Sequence, residues 1–165
     1  NRTYGNNGWL GIASIWARGN HITQSTVKVN DTYFNTATYN TLAWKNLVMC
    51  QEVGHAFGLD HQDENFNNTN LGTCMDYTNN PSTNQHPNAH DYAQLETIYA
   101  HLDSSTTVSQ TTASKNLGSE VSDLRSDWGK AVKQDGKGRD SVFEKDLGDG
   151  NKILTHVFWI ESIKK

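Results

Sequence analysis

The sequence predicts an α+β fold: a small twisted sheet, a central helix, a second helix that closes the domain, and a C-terminal β-hairpin. β-branched and aromatic residues alternate over residues 9–16 and 21–29, as they do in strands. Apolar residues recur at helical spacing over 41–57 and 89–102. Two more strand-like segments flank Gly148-Asp149-Gly150-Asn151, a typical hairpin turn.

Local signals set the limits of the central helix and the loop that follows it. Gly58 comes directly after the last apolar position, and glycine adopts the positive φ that ends many helices. Residues 62–89 are rich in Asn, Thr, Asp, Gly and Pro, so a long ordered loop is expected there. Loops of this length in compact domains are often functional.

The composition divides the chain into three parts. Residues 1–103 form the main domain, and residues 104–115 are a Ser/Thr-rich linker that cannot bury a core. The tail, residues 116–165, carries hairpin strands at about 140–147 and 152–160. Because a lone hairpin is only marginally stable, we expect the tail to pack on the main domain.

Charge and hydropathy exclude several classes of function. The 165 residues carry a formal net charge of -4 and no Lys/Arg run longer than the terminal Lys164-Lys165, which disfavours nucleic acid and anionic membranes as partners. No apolar stretch approaches the roughly 20 residues that span a bilayer. The N-terminus has no signal-peptide pattern, so a processed or trimmed product is expected. The two cysteines fit either a disulfide or two buried thiols, and their number does not decide between these.

The most informative segment begins at Gln51. On a helix, Gln51 and His55 lie one turn apart on the same face, and Glu52 lies about 100° round the axis. A sharp turn at Gly58 would bring His61 back toward His55. Three side chains then converge on one ion and leave a coordination position for water, as a catalytic zinc site requires.

This spacing resembles the extended metzincin zinc-binding motif at every fixed position except the first, where Gln51 replaces a histidine. The segment Thr73-Cys74-Met75-Asp76-Tyr77 is similar to the Met-turn of the same clan, in which Met75 would sit beneath the metal. The resemblance covers about residues 8–102. Its helix motif is closest to matrixins, whereas the Met-x-Tyr pattern is typical of astacins and serralysins.

The resemblance implies a secreted, monomeric zinc endopeptidase that acts on peptide or protein substrates. Glu52 would be the general base that activates water, and Tyr77 would stabilise the transition state. Zinc would be held by His55 and His61, with Gln51 in place of the first histidine. Residues 9–16 would be the substrate-side edge strand, to which a peptide adds as a further strand.

Two features depart from the clan's pattern. An amide oxygen binds zinc more weakly than an imidazole does, which leaves three possibilities. Gln51 coordinates zinc through its oxygen, or His86 or His90 takes its place as a ligand. In the third, the metal site has decayed and the chain is a binding or signalling protein. The clan also has a longer N-terminal region. Either this chain is trimmed, or the C-terminal hairpin completes the sheet.

The resemblance also implies a disulfide between Cys50 and Cys74. Cys50 precedes Gln51 on the helix and Cys74 precedes Met75 on the turn, and the fold brings these two elements together. Closing a loop of about 25 residues would stabilise the domain by roughly 3 kcal/mol. A disulfide places the protein outside the reducing cytosol.

The remaining histidines and aromatic residues have plainer interpretations. A packed tyrosine is as good an interpretation of Tyr77 as a functional one, and Met75 could fill a gap in the core. A rival function makes the tail a carbohydrate-binding module, but we expect its aromatic residues to pack within the hairpin: Trp128, Phe143, Phe158 and Trp159. Five histidines are interpreted as surface or capping residues: His21, His86, His90, His101 and His156.

Overall fold

One antiparallel sheet organises the molecule. The structure, a computed structural model, describes residues 1–102 and 121–161, so the predicted linker over 104–115 lies outside it. The five strands of the sheet have the order β2-β1-β5-β4-β3, which confirms the mixed α+β class. The strands are β1 (Trp9–Arg18), β2 (His21–Val29), β3 (Lys130–Gln134), β4 (Asp140–Gly148) and β5 (Asn151–Trp159), and the helices are α1 (Asp31–Phe34), α2 (Leu42–Ala56) and α3 (Ala89–Ile98).

The C-terminal hairpin completes the sheet. Strand β5 runs antiparallel to β1 over its whole length, from Trp9 opposite Trp159 to Arg18 opposite Asn151. The other edge of β1 pairs with β2. The hairpin is therefore part of the sheet and extends it on the β1 side, while β2 is an edge strand. As a consequence β1 is an inner strand, not the free edge that the resemblance implies.

Each face of the sheet packs on its own core. Helix α2 lies on one face, over a cluster that includes Leu47, Val48 and Phe158. The opposite face packs on Trp128 and Phe143 from the tail. The tail's aromatic residues are thus buried in the cores, apart from the partly exposed Trp159, and they form no exposed platform for a carbohydrate.

Helix α2 starts and ends where the sequence predicts, but it buries a different face. The Thr41 side chain caps the N-terminus by accepting a hydrogen bond from the Trp44 amide, 3.2 Å away. The chain reverses at Gly58, where φ is +91°. Three apolar residues of the predicted periodicity are nevertheless exposed: Leu42 by 72%, Val53 by 38% and Phe57 by 52%. The polar residues Gln51, Glu52 and His55 are buried in their place.

Helix α3 is shorter than predicted. It ends at Ile98, and the expected apolar positions Tyr99 and Leu102 are exposed. Its N-terminus is fixed by a capping box in which Asn88 and Asp91 exchange hydrogen bonds with each other's backbone. No helix in residues 1–102 and 121–161 is long and apolar enough to cross a membrane.

The predicted disulfide between Cys50 and Cys74 is present, and it joins α2 to the loop that follows it. Replacing both cysteines with alanine should lower the free energy of unfolding by about 3 kcal/mol, because the unfolded chain regains the entropy of an open loop. Urea denaturation of the variant and the parent protein measures the difference. The parent protein in reductant is the control and should lose a similar amount; a change below about 0.5 kcal/mol would count against this role of the disulfide.

Candidate metal centre

Helix α2 and the turn after it bring two imidazole rings together. The turn at Gly58 places the Leu59 carbonyl 2.8 Å from Nδ1 of His55. The chain then returns to the helix, so that Nε2 of His61 lies 3.0 Å from Nε2 of His55. Both side chains are buried. The convergence that the sequence predicts for these two residues is therefore seen.

The hydrogen bonds of the two rings show which nitrogens carry protons. A carbonyl oxygen can only accept, so Nδ1 of His55 is the donor to Leu59 and Nε2 presents a lone pair. Burial, followed by the nearby rings of His156 and His61, holds the pKa of His55 well below its usual range and keeps it neutral. On His61, Nδ1 lies 3.1 Å from the Glu64 carboxylate, which also accepts. In the neutral form of His61 that carries its proton on Nδ1, the two Nε2 lone pairs face each other.

Glu64 belongs to a charged cluster beside His61 that the sequence analysis did not identify. Ligand atoms of Asp60, His61 and Glu64 lie within 4.8 Å of one another and form a possible metal-binding group. Burial alone would raise the pKa of Glu64, but hydrogen bonds from His61 and Lys133 outweigh burial and lower it. Lys133 contacts Asp60 and Glu64, each at 2.9 Å. The usable sequence signal was the acid three residues after His61.

Glu52 is a carboxyl group buried between α2 and β1. Its side chain is 1% exposed, and among the described residues no donor reaches either oxygen with good hydrogen-bond geometry, although the backbone amide of Ala13 acts on it and offsets part of the effect of burial. Burial raises the pKa of Glu52 well above its ordinary value, because the charged form is poorly solvated there. Gly11 of β1 makes room for it, since a Cβ at that position would lie 2.5 Å from Oε1 of Glu52. A cation close to Glu52 would favour the carboxylate again.

Gln51 is held by the loop under the helix. Its Nε2 donates to the Cys74 carbonyl at 2.8 Å, so the amide oxygen is the atom that this contact leaves free. His86 and His90 are exposed, and neither belongs to the possible metal-binding group of Asp60, His61 and Glu64. The structure does not bring either histidine to the buried pair, so it gives no support to their replacing Gln51.

Met75 and Tyr77 lie in the loop after α2, where Met75 packs against α2 and Tyr77 packs against His61. A Cβ on Gly54 of α2 would lie 2.5 Å from the Met75 sulfur, so the methionine lies directly against the helix. The Tyr77 ring is buried, with its centroid 4.4 Å from that of His61. Burial, together with the nearby carboxyl group of Glu52, raises the pKa of Tyr77 well above its usual value, so the phenol keeps its proton.

His156 is the residue that the sequence analysis assigned wrongly. It is buried, not a surface or capping histidine, because the pairing of β5 with β1 carries it across α2. Its ring stacks on His55 with centroids 4.0 Å apart and an angle of 22°. Burial, and then the neighbouring His61 ring, lowers the pKa of His156 to about 3. Nδ1 of His156 has no hydrogen bond to any described residue.

Comparisons with known proteins find no matching family model, no matching curated protein and no matching solved structure. The chemistry of the site must therefore be argued from its own geometry. That geometry offers two imidazole lone pairs to one cation, a carboxyl group and a phenol beside them, and a carboxylate that orients one imidazole.

Proposed function

We propose that this chain is a zinc-dependent endopeptidase with a metzincin-like active site. The observation that carries the proposal is the 3.0 Å approach of the two Nε2 atoms, each on a ring whose Nδ1 faces an acceptor. Two facing lone pairs repel unless they share a proton or a cation. Tetrahedral zinc, with Zn–N bonds of about 2.0–2.1 Å, separates its ligand nitrogens by roughly 3.3 Å, close to the distance seen.

The remaining donors fit a catalytic site better than a structural one. His55 and His61 are the strong ligands, and the amide oxygen of Gln51 is the weaker third. Glu64 and the Leu59 carbonyl orient the imidazoles from outside, as the outer partners of zinc-bound histidines do. When bound, zinc would lower the pKa of a water molecule to about 7 and polarise the carbonyl of a peptide.

In this proposal Glu52 transfers the proton and Tyr77 stabilises the developing negative charge. Glu52 takes a proton from the attacking water and passes it to the nitrogen of the leaving amine. Tyr77, whose ring packs on that of His61, stays protonated at neutral pH and would donate a hydrogen bond to the developing oxyanion.

The disulfide supports a secreted location for this enzyme. Disulfides persist in oxidising compartments, and this one links the helix of the site to the turn beneath it. The proposed substrate is an extended segment of a peptide or protein, and the proposed working form is a monomer.

Zinc content and casein cleavage, measured together, test the function. We expect the parent protein, purified without chelator, to carry about one zinc and to cleave casein. Gln51→His should raise zinc affinity at least tenfold, because imidazole is the better donor. Gln94→His, on the exposed side of α3, is the matched control and should change neither quantity. A parent protein that is inert and free of zinc, beside a Gln51→His variant that gains both properties, would show a decayed peptidase.

One observation favours the alternative, a catalytically impaired binding or signalling protein on the same scaffold. The Gln51 amide already has a structural role, since it donates to the Cys74 carbonyl. If the Gln51→His variant bound zinc tightly and still cleaved nothing, this second function would be preferred.

A further inference from the structure

Strand β5 occupies the place that a peptide substrate would need. Gly11 of β1 lies against Glu52, and His156 of β5 stacks on His55. An extended peptide paired with β1 in the place of β5 would therefore pass beside both groups. One edge of β1 is taken by β2. Strand β5 fills the other edge along its full length and is antiparallel to β1.

Side chains from β5 also cover the groups beneath it. His156 stacks on the ring of His55, and Phe158 lies edge-on to Tyr77 with centroids 5.4 Å apart. With this strand in place, Glu52, His55 and Tyr77 are each 1% exposed. A peptide carbonyl therefore cannot reach the site while β5 is paired with β1.

The tail holds the site a second time through its first hairpin. Lys133 on β3 pairs with Asp60 and Glu64, the two acids beside His61. In the turn after β3, the Gly136 amide donates to the Glu64 carbonyl at 3.1 Å. The tail therefore contacts both the rings of the site and the loop that orients one of them.

The interface between the tail and residues 1–102 contains buried polar atoms that lack hydrogen bonds within the described chain. Buried polar atoms are normally hydrogen-bonded, yet several here have no partner among the described residues. They include Nδ1 of His156 on the helix side of the sheet, and the hydroxyls of Ser14 and Thr155 on the other side. Unpaired buried groups cost free energy, so they lower the free energy needed to separate the tail from β1.

We propose that β5 is an internal occupant of the peptide-binding edge of β1, and that an extended polypeptide binds there in its place when the tail moves away. The incoming ligand would pair its backbone with β1 and direct alternate side chains toward α2, as β5 directs His156 and Phe158. This inference rests on the proposed function only in taking the groups beneath β5 as those that act on the peptide.

Two engineered disulfides that share one position test the inference in the full-length chain. Ser14 lies opposite Thr155 of β5 and also opposite Thr26 of β2. The Ser14→Cys/Thr155→Cys crosslink fixes the tail to β1, whereas the Ser14→Cys/Thr26→Cys crosslink fixes only β1 to β2. All three hydroxyls lack hydrogen bonds within the described chain, so neither pair of substitutions removes one. Strand alternation places Ser14 and Thr155 on the face away from α2.

Casein cleavage should fall at least tenfold in the β1–β5 crosslinked protein relative to the β1–β2 crosslinked protein. Equal and measurable rates in the two would overturn the inference. If neither protein cleaves, with or without bound zinc, the proposed function fails, and amide hydrogen exchange decides the inference by itself. Amides of β5 should then exchange at least tenfold faster than those of α2, except in the β1–β5 crosslinked protein; equal protection of β5 and α2 without that crosslink would overturn the inference.

Discussion

Replacing Glu52 with glutamine should reduce casein cleavage by about 10²–10⁴-fold, the usual contribution of a general base, while zinc content stays the same. Glutamine keeps the size of the side chain but cannot accept the proton of water. Cleavage rates and elemental analysis on the same samples measure the two effects. Glu96→Gln, an exposed substitution on α3, is the matched control and should leave both unchanged.

The same substitution should stabilise the metal-free protein at neutral pH. Burial raises the pKa of Glu52 in the folded state, so the unfolded chain releases the proton near pH 4.3 while the folded chain retains it. The parent protein therefore loses stability as the pH rises above about 4.3, and Glu52→Gln removes this loss. Urea denaturation of both proteins in chelator at pH 4 and pH 7 measures this difference in stability.

If the Glu52→Gln variant cleaved casein at a rate within tenfold of the parent protein, the proposed role of Glu52 as general base would be contradicted.

Replacing His61 with alanine should weaken zinc binding by more than 100-fold. Loss of an outer partner of a metal-bound histidine already weakens binding by about 10–100-fold, and removing a ligand itself should do more. Zinc affinity is measured by competition with a chromophoric chelator. His90→Ala is the matched control, because His90 is exposed and lies outside the metal-binding group.

The loss of zinc binding in the His61→Ala variant should not be caused by unfolding. The His61→Ala variant should keep its disulfide and unfold cooperatively in chelator, since α2 and both cores contact the sheet without help from His61. A variant that binds zinc as tightly as the parent protein would show that the metal lies elsewhere or that another residue replaces His61.

Local signals in the sequence predicted the parts of the fold that depend on neighbouring residues. The end of α2 follows from Gly58, whose φ of +91° suits glycine, and the hairpin follows from its turn at Gly148-Asp149-Gly150-Asn151. The disulfide followed from the resemblance, which placed Cys50 and Cys74 on adjacent elements.

The parts that were missed depend on contacts between distant segments. The burial of His156 requires β5 to pair with β1 in one register, and a shift by one residue would turn this side chain to the other face. The exposure of Leu42 and Phe57 has a similar origin, because the tertiary contacts of α2 bury a polar face that periodicity alone assigns to solvent. Gly11 could not be recognised as the space for Glu52 until both elements were placed.

The most direct test of the metal centre is X-ray absorption at the zinc edge on protein loaded with one equivalent of zinc. The geometry predicts two imidazole nitrogens at about 2.0–2.1 Å from the zinc, together with the outer-shell scattering typical of histidine rings. Oxygen ligands should complete the first coordination shell. A first shell of oxygen alone, or a protein that does not retain zinc through gel filtration, would contradict a zinc site between His55 and His61.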